Sequence, residues 1–261
     1  MKNIFGKIVL LVVAMTVVTM TVRLLTVVIP KRPADTDTLA GMSYLAERET
    51  AIYTEPTPSP TPTEVPTVPT AGPTEAYLDI PDNNFRAAFK DIYFCGDSIV
   101  EAMSGYDILD TYHVIASIGV GTSHIDKNLT YIVASHPKYL ILHYGVNVID
   151  VPEYADTFIS NYKSSIEKLQ EQLPDTVIFV DSIFPVQEKA YKQAPGTKYI
   201  DYYNERIYEM TQELGVHYID HSPQWAAFEK NYYEGDGIHP VYSYYKEKYL
   251  PYIYTEVMKT T

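Results

Sequence analysis

Short apolar runs alternate with amphipathic stretches along the chain after Glu75. The apolar runs predict five strands, at Asp91–Phe94, Tyr112–Ser117, Tyr139–His143, Thr176–Val180 and Val216–Ile219. The amphipathic stretches predict helices at roughly Ser123–Ala134, Tyr154–Gln172, Tyr199–Leu214 and Val241–Met258. This alternation indicates an α/β protein with a parallel sheet that helices cover on both faces. In such a sheet a ligand binds beyond the carboxyl ends of the strands.

The beginning of the chain follows a different pattern, with one long apolar stretch. Two lysines precede an apolar run at Ile8–Val22, and Leu24–Ile29 continues the run after Arg23. The stretch exceeds the roughly 20 residues that cross a bilayer. A cleaved signal peptide is the alternative, but its apolar part is normally shorter, and no A-x-A-like site follows directly. We therefore expect residues 1–32 to form an uncleaved transmembrane anchor.

Proline dominates the segment that follows. Residues 33–53 have a mixed, juxtamembrane character, and Thr54–Thr74 reads TEPTPSPTPTEVPTVPTAGPT. Proline fixes φ and removes backbone donors, so this segment is expected to be a disordered, extended spacer. At about 3.1 Å per residue it would reach roughly 60 Å. A spacer of this kind suits a domain held away from a membrane, which favours an extracytoplasmic location. Residues 33–75 are thus interpreted as a linker, and residues 76–261 as the folded domain.

Composition excludes several classes of protein. The 261-residue chain has a formal net charge of −13, which opposes binding to nucleic acid or to an anionic membrane surface. Cys95 is its one cysteine, so the chain has neither an internal disulfide nor a cysteine-rich metal site. No other cluster of His, Asp and Glu has a clear ligand spacing, and no metal is predicted.

Chemically useful residues follow the predicted strands. Ser98 comes directly after the first strand, Gly119 after the second and Asn147 after the third. Asp236 and His239 lie in one loop after the fifth strand, just before the last helix. Because the carboxyl ends of parallel strands meet at one edge of a sheet, we expect these five residues to lie close together.

The set matches the needs of acyl transfer. A serine hydroxyl becomes nucleophilic when a base takes its proton, and histidine titrates near neutral pH. A carboxylate on the second ring nitrogen fixes the tautomer, and Asp236 precedes His239 by three positions in one loop. The backbone N–H groups of Ser98 and Gly119 and the side-chain amide of Asn147 would then stabilise the oxyanion.

Four sequence blocks resemble those of the SGNH/GDSL hydrolase family, in a membrane-anchored bacterial form. They read FCGDSIVEAM, IASIGVGTS, ILHYGVN and DGIHP, in that order. The resemblance implies a three-layer, flavodoxin-like α/β/α sandwich that hydrolyses or transfers acyl esters, often acetyl groups on sugars, without a metal or other cofactor. It also implies that Ser98 is the nucleophile, that Asp236 and His239 complete the triad, and that Gly119 and Asn147 line the oxyanion hole.

Two departures from the family pattern stand out. Val148 occupies the position where the third block usually has aspartate, which puts the local hydrogen bonding of that loop in question. The second block offers both Gly119 and Gly121 as oxyanion donors, and the spacing from the strand favours Gly119.

Simpler interpretations exist for each site residue. Ser98 could be a helix N-cap, Asn147 a turn residue, and the pair Asp236 and His239 a loop pair or part of a metal site. The four blocks together favour the catalytic interpretation. His143, at the end of the third strand, is interpreted as a packed or hydrogen-bonded residue.

The sequence therefore predicts a membrane-anchored, extracytoplasmic serine esterase or acyltransferase. Its expected partners are an acylated glycan or another small ester and, through the N-terminal helix, the membrane; no nucleic acid is expected and no oligomeric state is predicted. Trp225, Tyr232 and Tyr233 are candidates for a sugar-stacking wall. The alternatives are a non-catalytic glycan-binding module that retains the fold, and a lipid esterase or thioesterase.

Overall fold

The computed structural model of the protein describes residues 77–221 and 232–260, which lie within one compact unit of the chain. The expected anchor, the proline-rich linker and Trp225 fall outside the described residues. Within the described ranges, no helix has both the length and the apolar character needed to span a bilayer.

Five parallel strands form one sheet in the order β2-β1-β3-β4-β5. They are β1 (Ile92–Gly96), β2 (Val114–Ala116), β3 (Tyr139–His143), β4 (Val177–Asp181) and β5 (His217–Ile219). The register aligns their carboxyl ends, because Gly96 pairs with both Ala116 and His143. The predicted parallel sheet is thus confirmed, and so is the placement of β3.

Helices cover both faces of this sheet. They are α1 (Phe85–Ala88), α2 (Ser98–Gly105), α3 (Ser123–Ser135), α4 (Ala155–Gln172), α5 (Ile200–Leu214), α6 (Tyr242–Tyr244) and α7 (Leu250–Met258). Alternate residues of each strand face opposite sides. In β3, Ile141 joins a core with α1, α2 and α7, whereas Leu140 and Leu142 join a second core with α3, α4 and α5. The chain therefore folds as a three-layer α/β/α sandwich.

The turn between β1 and α2 is built around two residues. Gly96 lies so close to the next helix that an added Cβ would overlap Val100 and lie 2.7 Å from the carbonyl oxygen of His143. Asp97 is the N-cap of α2, and its side chain accepts a hydrogen bond from the N–H of Ile99 at 3.0 Å. Ser98 is the first helical residue, so its interpretation as the N-cap is wrong.

The last helix differs from the single helix predicted at Val241–Met258. A π-helical turn at Tyr245–Tyr249 separates α6 from α7. Pro251 lies in the first turn of α7. A proline has no N–H for the α-helical ladder, and its ring clashes with the carbonyl four residues earlier, so a wider turn is favoured there.

Candidate active site

The Ser98 hydroxyl and the His239 ring form the centre of the site. Ser98 Oγ lies 2.9 Å from His239 Nε2, although 141 residues separate the two. Ser98 is largely buried at the N-terminus of α2, where the first N–H groups of a helix have no partner within the helix. The same end of the helix carries a partial positive charge, which favours a developing anion.

Asp236 orients the imidazole. Its Oδ2 lies 2.6 Å from His239 Nδ1, while its Oδ1 accepts hydrogen bonds from the N–H groups of Ile238 and His239 at 2.8 and 3.1 Å. Burial alone would raise the pKa of Asp236, but the hydrogen bonds from the His239 ring and from these two N–H groups outweigh burial and lower it. The carboxylate is therefore ionised near neutral pH. It accepts a hydrogen bond from His239 Nδ1, so Nδ1 is the protonated ring nitrogen.

Backbone hydrogen bonds within the loop hold Asp236 and His239 in one turn. The N–H of Glu234 donates to the carbonyl of His239 at 2.7 Å, and the N–H of Gly237 donates to the carbonyl of Glu234 at 3.1 Å. Gly237 has φ of +76°, which a residue with a side chain rarely adopts. The base and the carboxylate that orients it therefore come from one hydrogen-bonded turn.

A segment between β4 and α5 braces this turn from outside. The N–H of Gln187 donates to the carbonyl of Gly237 at 2.8 Å, and the side-chain amide of Gln193 donates to the carbonyl of Asp236 at 3.3 Å. The aliphatic part of Lys189 packs so closely that a Cβ on Gly237 would lie 2.5 Å from its Cε. The sequence contained no motif that marked these residues.

Asn147 joins the two loops predicted to form the oxyanion hole. Its Nδ2 donates to the carbonyl of Val120 at 3.3 Å, in the loop that contains Gly119. An amide nitrogen has two hydrogens, so one remains for a ligand. Asn147 and His239 line the same cleft, of about 390 Å³, together with Asp150, Gln193 and the backbone around Gly196.

The two candidate glycines differ in their surroundings. Gly119 has φ of +74° and no neighbouring atom within 4 Å of an added Cβ, whereas at Gly121 that Cβ would lie 2.5 Å from Val148 Cγ1. Val148, which replaces the usual aspartate, thus packs against the second glycine. The structure brings Ser98, His239 and Asp236 into one hydrogen-bonded chain. Asn147 lines the same cleft as His239 and contacts the loop that contains Gly119.

A second hydrogen-bonded group lies buried beside the site. Asp181, at the end of β4, contacts the ring nitrogens of His143 and His221 and accepts a hydrogen bond from Tyr249 Oη at 2.9 Å. Sequence reasoning assigned His143 a packed or hydrogen-bonded role, which is confirmed, but did not identify the group. Within residues 77–221 and 232–260, no three His, Cys, Asp or Glu side chains form a metal-binding cluster.

The other residues singled out from the sequence have structural contacts. Cys95 is buried with its Sγ 3.1 Å from Tyr144 Oη, and burial, only partly offset by that contact, raises the pKa of the thiol to about 12, so it is not a nucleophile. Tyr233 Oη donates to the carbonyl of Pro185 at 2.8 Å, and Tyr232 Oη donates to Glu247 at 3.2 Å.

The fold defines a class of protein, the ester hydrolases of SGNH type. Residues 70–245 match the model of the GDSL-like Lipase/Acylhydrolase family, and the chain belongs to that family. The protein is therefore an ester hydrolase, and the predictions of family and enzyme class are confirmed.

Solved structures agree on the fold. A GDSL-like lipase from Bacteroides thetaiotaomicron is 14% identical with a TM-score of 0.53, over 70% of this chain and 92% of that one. The lipase/acylhydrolase from Enterococcus faecalis is 14% identical with a TM-score of 0.51, over 65% of this chain and 95% of that one. A search of curated proteins finds no match.

Proposed function

We propose that the protein is a membrane-anchored, extracytoplasmic serine esterase that removes O-acyl groups, chiefly O-acetyl, from a glycan of the cell envelope. The observation that carries this proposal is the chain of hydrogen bonds from Ser98 through His239 to Asp236. The apolar stretch at Ile4–Ile29 and the proline-rich spacer support the location.

In the first half of the reaction, Ser98 Oγ forms a bond to the acyl carbon while its proton passes to His239 Nε2. The carbonyl oxygen becomes an oxyanion that accepts hydrogen bonds from the N–H groups of Ser98 and Gly119 and from the amide of Asn147. The bond to the sugar oxygen then breaks as Nε2 returns the proton to that oxygen, and the acyl group stays on Ser98.

The second half repeats these steps with water. His239 takes a proton from the water, whose oxygen attacks the acyl carbon, and the proton returns to Ser98 Oγ as the acid leaves. A sugar hydroxyl in place of water would give acyl transfer. Asp236 stays ionised throughout and stabilises the imidazolium.

Turnover of p-nitrophenyl acetate by the full chain in detergent tests this assignment. The variants Ser98→Ala and His239→Ala should each lose at least about 10³ in kcat. Ser104→Ala is the matched control, since Ser104 lies in the same helix but donates to the carbonyl of Glu101. A folded wild type with neither turnover nor labelling of Ser98 by a fluorophosphonate would instead indicate a glycan-binding module.

A further inference from the structure

A second cavity, of about 540 Å³, lies beside the catalytic cleft between α3 and α4. Val146, Asn147 and Ile149 line the catalytic cleft, whereas Val148 from the same loop lines this second cavity. Gly121 lines it too, packed against Val148. The two cavities therefore share one wall, and that wall includes Asn147, one of the proposed oxyanion-hole residues.

The deep part of this second cavity is polar. Thr122 is only 7% exposed, and its hydroxyl makes no capping hydrogen bond to the first turn of α3. A hydroxyl that the helix does not use as a cap can donate to or accept from a ligand in the cavity. Ser165, 2% exposed, donates to Asp126, whose carboxylate also lies 3.0 Å from Lys168 Nζ. The Asp126 and Lys168 side chains are 40% and 45% exposed at the edge of the cavity, and their charges offset each other, so the pair leaves no net charge there.

The outer part of the cavity shows which chemistry it fits. Ser123, Thr157, Asn161 and Ser164 present hydroxyl and amide groups that both donate and accept. Tyr154 adds an aromatic ring that is 38% exposed. Cavities for apolar ligands are lined mainly by hydrophobic side chains with few polar groups. Eight of the twelve residues that line this cavity are polar, and Val148, Tyr154 and Phe158 add apolar surface. A neutral, polyhydroxylated ring with an apolar face satisfies both the polar groups and the tyrosine.

We propose that this second cavity is a sugar subsite that binds a neutral sugar residue next to the acylated one. The inference rests on the proposed esterase function and deepens it, because it makes a glycan, and not a lipid or a small free ester, the substrate. Such a subsite contributes binding away from the reacting atoms, so its loss affects long substrates and leaves the acyl chemistry in place.

Calorimetry tests the subsite without depending on turnover. A neutral oligosaccharide of N-acetylglucosamine that is partially O-acetylated is titrated into the full chain carrying Ser98→Ala, alone and combined with Asn161→Ala or Thr122→Val. Ser160→Ala is the matched control, since Ser160 neighbours Asn161 on α4 but does not line the cavity. Each test variant should weaken Kd about fivefold to tenfold, as expected for one lost hydrogen bond, and the control should not.

Two outcomes overturn the inference. One is the absence of binding to Ser98→Ala, and the other is an equal Kd for Asn161→Ala, Thr122→Val and Ser160→Ala. Failure of the esterase proposal appears separately, as absent turnover of p-nitrophenyl acetate by the wild type. In the active enzyme, the loss in Asn161→Ala should fall on kcat/KM for the oligosaccharide, because p-nitrophenyl acetate carries no sugar to occupy the subsite.

Discussion

His143 Nδ1 lies 3.0 Å from Asp181 Oδ2, and both side chains are almost completely buried at the carboxyl ends of neighbouring strands. The backbone carbonyl of His143 also accepts a hydrogen bond from the N–H of Asp97 at 3.3 Å, next to the proposed nucleophile. The ion pair is thus one strand away from the turn that presents Ser98. It is part of a buried hydrogen-bonded group that the proposed reaction does not use.

Asp181→Asn should destabilise the protein. Burial alone would raise the pKa of Asp181, but His221 and His143 outweigh burial and lower it, so the folded state contains a carboxylate between two imidazoles. Removing one partner of a buried ion pair typically costs about 3–5 kcal/mol. Urea denaturation measures the change, with Asp175→Asn, at an exposed turn, as the control. A loss of less than about 1 kcal/mol would show that the network does not support the fold.

Stability should fall as the pH rises above neutrality, and His143 should cause part of that fall. Burial alone would lower the pKa of His143, but its hydrogen bond to Asp181 outweighs burial and raises it. A raised folded-state pKa gives a contribution that is full below the unfolded value of about 6.5 and is lost as pH rises through the folded value. The free energy of unfolding between pH 6 and 9 should therefore depend less on pH in His143→Gln. His217→Gln, at an exposed histidine, is the control and should keep the wild-type slope.

Asn147→Ala should lower kcat by about 10²–10³ while leaving the melting temperature nearly unchanged. The loss in rate follows from the missing oxyanion donor. The small effect on stability follows because Asn147 is exposed and its amide makes one hydrogen bond, to Val120. Asn128→Ala also removes an amide that donates to a backbone carbonyl, that of His124, and should keep full turnover. Full activity in Asn147→Ala would remove this residue from the oxyanion hole.

The sequence predicts the framework of this fold better than its details. β3 lies where the sequence predicted it. Every residue of the strand is buried, and a strand that is covered on both faces is typically a continuous apolar run of this kind. The sequence did not predict the division of the last helix, because the apolar pattern continues through Pro251. The proline changes only the backbone hydrogen bonds, since it has no N–H to donate.

The candidate site shows the same limit. Ser98, Asp236 and His239 stand in short motifs with turn glycines, so their positions in the chain marked them. Asp181 looks like an ordinary polar residue at a strand end, and its two histidines lie 38 and 40 residues away. The Gln193 amide donates to the backbone carbonyl of Asp236, and a contact to the backbone leaves no pattern of residue types in the sequence that could predict it.

Asp236→Asn should lower kcat by about 10⁴ without unfolding the protein. The carboxylate accepts the Nδ1 proton of His239, and an amide in its place favours the tautomer that cannot take the proton of Ser98. Glu234→Gln is the matched control, because it removes a negative charge from the same loop. The Glu234 carboxylate accepts a hydrogen bond from Tyr106 Oη and is not part of the chain from Ser98 to Asp236. If the two variants lose activity equally, the effect comes from the charge of the loop, and Asp236 does not act by orienting His239. If only Asp236→Asn loses activity and both variants have equal melting temperatures, the loss of kcat comes from the wrong tautomer of His239.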